Sequence, residues 1–266
     1  MRDSFGRNID YLRISITDRC NLRCTYCMPC DGFKPVEKER ILSLEEILSV
    51  VQAGVELGIT KVRLTGGEPL VRNGVVELVR AIAATAGIEV IAATTNGILL
   101  PRLARPLREA GLTGVNISLD TLDPERYARV TRGGRLEAVL AGIDAAISAG
   151  IPSIKINSVV APDTPEEDLA AVRRFCQDRG LHHQRIALYH LDREKSDDHH
   201  CERPLPCQEC NRVRLLSTGV FKPCLHSDEE IPFDPQDPGA GIRRAIEVKP
   251  ERGTVCSNRS MVEIGG

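Results

Sequence analysis

The chain has 266 residues, 42% of them hydrophobic and 27% charged, with a formal net charge of −2. This supplies a real core but no bulk basic surface for nucleic acid and no apolar run able to span a bilayer, and Met1–Asp10 lacks the apolar stretch of a secretory leader. Ten cysteines in a chain expected in the reducing cytoplasm read as metal ligands rather than disulfides, and eight of them are clustered in sequence.

The first apolar run, Leu12–Ile16, predicts a strand. Cys20, Cys24 and Cys27 follow it at C-x3-C-x2-C spacing. Three thiolates can hold three irons of a four-iron cluster and leave one iron open to a chelating ligand. Two other readings stay open on these residues alone. One is a structural zinc site with Cys30 as fourth ligand; the other is a ferredoxin-like cluster, because Cys24, Cys27 and Cys30 also space as C-x2-C-x2-C.

Ser43 and Glu46 then form a capping box for a helix over 43–57, stopped by Gly58. Strand Val62–Leu64 runs into Gly66-Gly67-Glu68-Pro69, by itself a turn signal. Helix 75–84, strand Val90–Ala93, helix 101–110, strand Val115–Leu119, helix 136–149, strand Ile154–Val160, helix 164–179 and strand Arg185–Leu188 complete an alternation. Near-continuous apolar strands of this kind are buried on both faces. Six β–α steps predict an α/β protein built as a partial (β/α)6 TIM-like barrel, with its working residues at the C-terminal ends of the strands. An open Rossmann-like sheet is the alternative, but no Gly-x-Gly-x-x-Gly follows the first strand.

After Tyr189 the pattern breaks. Residues 192–206 read as a charged, His-rich linker, and the chain from Cys207 onward is loop-rich. A boundary is expected at residue 191, with a short region over 192–266 whose missing core a metal could replace. Cys207, Cys210 and Cys224 space as C-x2-C-x13-C. A zinc ribbon completed by Cys201 or His226 suits that spacing equally well. Arg212 and Arg214 beside it point to an anionic substrate, because guanidinium groups make paired hydrogen bonds to phosphate. The pairs His182-His183 and His199-His200 read as solvated.

The first cysteine motif, with Tyr26 before its third cysteine and Gly-Gly-Glu-Pro after the second strand, resembles the radical S-adenosylmethionine superfamily. The run Cys207-Gln208-Glu209-Cys210-Asn211-Arg212-Val213-Arg214, followed by Cys224 and by Gly265-Gly266, resembles more narrowly its GTP 3′,8-cyclase (MoaA) family. So do Tyr11-Leu12-Arg13-Ile14-Ser15-Ile16-Thr17-Asp18, Lys61-Val62-Arg63-Leu64-Thr65, Thr94-Thr95-Asn96-Gly97, Gly114-Val115-Asn116-Ile117-Ser118-Leu119-Asp120 and Lys155-Ile156-Asn157.

That resemblance implies a lyase of molybdenum cofactor biosynthesis. A radical made from S-adenosylmethionine takes hydrogen from the ribose 3′ carbon of GTP, and the product is a 3′,8-cyclised dihydro-GTP. It implies two 4Fe-4S clusters, on Cys20, Cys24 and Cys27 and on Cys207, Cys210 and Cys224. Tyr26, Gly67 and Ser118 would contact S-adenosylmethionine, with Gly67 letting the methionine amino group approach the backbone. Arg13, Arg63, Thr94, Lys155, Arg212, Val213 and Arg214 would contact GTP, with Arg13, Arg212 and Arg214 as catalytic residues and the Gly-Gly tail near the arginines. The implied partners are a reductant protein such as flavodoxin or ferredoxin and the downstream cyclic pyranopterin synthase (MoaC). A homodimer is compatible; nucleic acid and membrane are not implied.

The chain departs from that family in two places. Its linker to the second cysteine triad is short, and Tyr189 and His190 stand where the family has a methionine touching S-adenosylmethionine. Both flank the substrate cavity. The alternatives are therefore a radical enzyme whose auxiliary cluster serves a peptide or another small molecule, and a non-catalytic two-cluster electron carrier.

Overall fold

The computed structural model describes residues 1–28, 33–195 and 200–265; Cys30, His199 and Gly266 fall outside the described residues. Six parallel strands, β1 (Tyr11–Ser15), β2 (Lys61–Thr65), β3 (Val90–Thr95), β4 (Gly114–Ser118), β5 (Ser153–Val160) and β6 (His182–Ala187), pair in chain order. Between them run α1 (Leu44–Glu56), α2 (Val75–Ala83), α3 (Leu100–Glu109), α4 (Pro124–Thr131), α5 (Leu136–Ser148) and α6 (Glu166–Asp178). All six expected strands form. The helix expected over 43–57 begins as its capping box dictates: Glu46 N donates to Ser43 Oγ (3.1 Å), and Ser43 N donates to Glu46 Oε2 (2.7 Å). Helix α4 was not expected, although Asp123-Pro124 announces it: the Asp123 carboxylate caps Arg126 N at 2.6 Å and Pro124 fills the first turn.

Strand alternation divides the residues between two faces. Leu12, Ile14, Val62, Leu64, Val115 and Ile117 pack with the helices in one apolar core. Their neighbours Tyr11, Arg13, Arg63, Thr94, Asn116 and Lys155 line a cavity on the other face.

The chain beyond residue 191 does not stand apart. Strand β7 (Arg212–Leu215) pairs in parallel with β1, and β8 (Val220–Lys222) and β9 (Ile231–Pro232) extend the sheet antiparallel. The order is β6-β5-β4-β3-β2-β1-β7-β8-β9. The expected boundary therefore interrupts neither sheet nor core: Phe221, and Ile242 and Ile246 of α7 (Ala240–Glu247), belong to the same buried cluster as Leu12. A short α8 (Met261–Ile264) carries the chain back to the cavity. No helix of the described residues is long and apolar enough to cross a membrane.

Candidate active site

The loop after β1 is built on backbone contacts with the turn after β2. Gly67 N donates to Thr17 O (2.9 Å) and Glu68 N to Arg19 O (2.8 Å). A Cβ on Gly67 would lie 2.5 Å from Arg19 O, and one on Gly66, whose φ is +146°, would lie 2.2 Å from Thr17 O. The space the two glycines leave is thus filled by the cysteine loop itself. They fix where Cys20 begins, and both glycines also line the cavity.

Cys24 and Cys27 sit on the next turn. Cys27 N and Met28 N donate to Cys24 O, and Arg23 N and Thr25 N donate to the last turn of α4 at Thr131 O and Val130 O. Tyr26 Oη donates to Asp120 Oδ2 (2.9 Å) while Val159 N donates to Asp120 Oδ1 (2.8 Å), so one carboxylate ties the cysteine turn to β4 and β5. Burial pushes Asp120 up to about 6 despite these bonds. Glu68 is buried and plays the same part on the other side. It accepts from Thr95 Oγ1 (2.7 Å), Leu70 N (3.0 Å) and Asn96 N (2.7 Å), and burial pushes it up to about 7.

Cys20, Cys24 and Cys27 are unpaired thiols on one cavity wall. Burial raises all three, and the nearby Asp120 and cysteines raise Cys24 further, up to about 12. Thiolates here need a compensating positive charge, and a metal cluster supplies it. Leu22 N points at Cys20 Sγ (3.4 Å), as outer hydrogen bonds to ligand sulfur do. The triad fits a four-iron cluster held by three thiolates, one of the readings its spacing left open.

The second triad lies across the same cavity. Cys207 and Cys210 flank a 3-10 turn before β7, and the β7–β8 pairing brings in Cys224. Its surroundings are cationic. Lys195 Nζ is 3.2 Å from Cys207 Sγ. Lys249, buried, donates to Arg212 O (2.8 Å) and Pro223 O (2.6 Å). Burial acts to raise Cys210, but Lys249 and Arg212 outweigh it and hold the thiol at about 7. Arg7, oriented by Asp3, donates to Cys207 O (2.9 Å) from behind. His226 lines the cavity beside Cys224; Cys201 does not line it.

Between the triads runs a wall of positive charge. The register sets Arg13 beside Arg63 on one flank and Arg214 on the other. Tyr11 Oη accepts from Arg63 Nε (2.5 Å), and although burial pushes the phenol up, Arg63, Arg13 and Arg212 hold it below its ordinary value. Arg214 is buried, and among the described residues its Nη1 has no hydrogen-bond partner. Arg13 Nη2 donates to Gly265 O (3.2 Å), so the tail does reach the arginines.

Thr94, Lys155, Arg212, Gly67, Tyr26 and Ser118 all line this cavity, whose volume is about 320 Å³. Val213 does not: its side chain is in the core. His183 is half-buried rather than fully solvated, and its Nε2 lies 2.9 Å from Ser158 Oγ. Sequence reasoning assigned no role to Tyr11, Glu68, Asp120, Lys195, Arg203 or Lys249. Tyr11 was within reach, two residues before Arg13 on the same strand face.

The profile of the Radical SAM superfamily matches residues 14–176. The GTP 3′,8-cyclase of Alkaliphilus oremlandii (strain OhILAs) is 41% identical over 321 residues, covering all of both chains, and that of Geobacter sulfurreducens is 38% identical over 322 residues, covering 99% of each. Both alignments run longer than this chain's 266 residues, so the relatives carry segments it lacks. Among solved structures, Streptococcus suis SuiB bound to S-adenosylmethionine superposes with a TM-score of 0.65 at 15% identity, over 82% of this chain and 60% of that one. anSMEcpe with bound AdoMet gives 0.63 at 15% identity, over 91% and 81%. Fold, first cysteine motif and full-length identity agree: the chain belongs to the radical SAM superfamily and, within it, to the family of the GTP 3′,8-cyclases.

Proposed function

We propose that this chain is a radical SAM GTP 3′,8-cyclase of molybdenum cofactor biosynthesis, with a second 4Fe-4S cluster on Cys207, Cys210 and Cys224. The observation that carries the reading is the in-register row Arg63–Arg13–Arg214, set in one cavity between two cysteine triads. A row of like charges is unfavourable unless a polyanion occupies it, and Arg214 Nη1 is a buried donor without a partner among the described residues. When bound, the first cluster and S-adenosylmethionine supply the radical that starts the reaction.

The protein's own part is positioning. Arg13, Arg63, Lys155, Arg212 and Arg214 hold the triphosphate and Thr94 the nucleoside, while Val213 contributes backbone only. Tyr26, braced by Asp120, and Gly67 and Ser118 hold S-adenosylmethionine. The buried ammonium groups of Lys195 and Lys249 offset the negative charge of the second triad. A wall of guanidinium groups suits a nucleotide better than a neutral peptide. The reading includes a cytoplasmic reductant such as flavodoxin or ferredoxin, cyclic pyranopterin synthase as consumer of the product, and a homodimer as an allowed assembly. The test is anaerobic incubation of reconstituted protein with GTP, S-adenosylmethionine and dithionite. Formation of a cyclised isomer of GTP, identified by mass and fragmentation, supports the reading; 5′-deoxyadenosine release with GTP unchanged refutes it.

A further inference from the structure

Arg203 lies outside every motif considered above, in the connection between β6 and β7, yet it lines the cavity. Its backbone is fastened to the edge of the sheet: Ala187 N donates to Arg203 O (2.9 Å), and Arg203 N donates to Arg185 O (3.2 Å), forming one parallel bridge beside β6. Next to it Glu202 accepts from Arg185 N (2.8 Å) and from Arg185 Nη2 (3.0 Å), so the connection is clamped twice on the same residue. Extended backbone sends neighbouring side chains to opposite faces. Glu202 takes the outer one with Arg185, and Arg203 turns inward.

Inside, the charged groups nearest Arg203 are mostly of its own sign. Burial comes first and then the charge of Arg212, followed by Arg63, in pushing its guanidinium down; Arg203 in turn acts on Lys155. Tyr11 and then Glu209 act in the opposite sense, but among the described residues the Arg203 side chain makes no ion pair or side-chain hydrogen bond. Arg203 comes from the β6 edge and Arg212 from β7 on the far side of β1, so the curled sheet brings its two flanks together at this point. A fixed guanidinium held against Arg63, Lys155 and Arg212 is costly without an anion and favourable with one.

We propose that Arg203 is a further substrate-binding residue, a phosphate clamp that closes on the triphosphate of GTP from the β6 flank. This rests on the cyclase reading and adds to it a contact from the connection rather than from any strand.

The experiment compares GTP and S-adenosylmethionine affinities of the full chain, reconstituted anaerobically, as wild type, Arg203→Gln and Arg203→Lys. The expected result is a loss of GTP affinity of roughly tenfold or more in Arg203→Gln, partial recovery in Arg203→Lys and unchanged S-adenosylmethionine affinity in both. Unchanged GTP affinity in Arg203→Gln overturns the assignment, and so does a parallel loss for both ligands, which marks a merely structural role. Wild-type protein that binds no GTP would instead sink the cyclase reading, and this assignment with it.

Discussion

Arg13 on β1 and Arg214 on β7 stand directly opposite each other in parallel register, with no acidic residue among the groups paired to them along those strands. Like charges so placed work against the fold. On the proposed reading, the triphosphate of GTP offsets that cost. Replacing Arg214 by Met should therefore separate function from stability. Cyclisation of GTP falls by roughly ten- to a hundredfold, iron content stays at the wild-type level, and the thermal midpoint holds or rises. Wild-type turnover in this variant would remove Arg214 from the substrate site.

Gly67→Ala tests the grip of the β2 turn on the cysteine loop. The added Cβ meets Arg19 O at 2.5 Å, a backbone atom that cannot swing aside. The loop must shift, at a cost of about 1–3 kcal/mol. The expected loss is selective: the cluster on Cys20, Cys24 and Cys27 is depleted while that on Cys207, Cys210 and Cys224 still loads, read by iron and sulfide analysis and by electron paramagnetic resonance. Full loading of both sites would show that the clasp does not set the loop.

Glu68 predicts a pH dependence of stability. Its folded value is raised from 4.5 to about 7, so its contribution is complete below about 4.5 and is lost as pH rises through about 7. Across that window the folded chain binds more proton than the unfolded one, and stability declines with rising pH by on the order of 3 kcal/mol from this group. Urea unfolding of wild type and Glu68→Gln at several pH values should show this part of the slope only in wild type. Parallel curves would mean that Glu68 is not strained by its burial.

Lys249→Met addresses the second triad. The change strands the carbonyls of Arg212 and Pro223 without their donor, costing on the order of 2 kcal/mol, and removes the main cation that lowers Cys210. Slower, weaker loading of the second cluster is expected, with the first unaffected. Iron uptake followed in a chain whose Cys20, Cys24 and Cys27 are replaced by Ala would measure it directly, and wild-type loading would count against the role.

The first five barrel strands were legible as local apolar runs, Leu12 with Ile14 or Val115 with Ile117, bounded by turn residues; β6, which opens on His182-His183-Gln184-Arg185, was expected only from Arg185 and begins three residues earlier. β7 was not legible. Its two apolar residues, Val213 and Leu215, alternate with arginines, and what makes them a strand is pairing with β1, far away in sequence. Both cysteine triads could be read from spacing, but their supports could not: Asp120 depends on Tyr26 and Val159, Glu68 on Thr95 and Asn96, and Lys249 on carbonyls of β7 and the turn after β8. Gly66 and Gly67 were recognisable as a close approach, but not what approached. That answer lay in the backbone carbonyls of Thr17 and Arg19, whose side-chain identities say nothing of it.

The seam between β1 and β7 also dictates an order of assembly. Asp10 and Asn211, which seal its lower end by a 2.7 Å hydrogen bond, are 201 positions apart. A ribosome must therefore release nearly the entire polypeptide before the first strand acquires its second neighbour, and such distant pairing is slow. Until then the early thiols face a half-open trough. Iron delivered during synthesis would meet one wall of the reaction chamber long before the other exists.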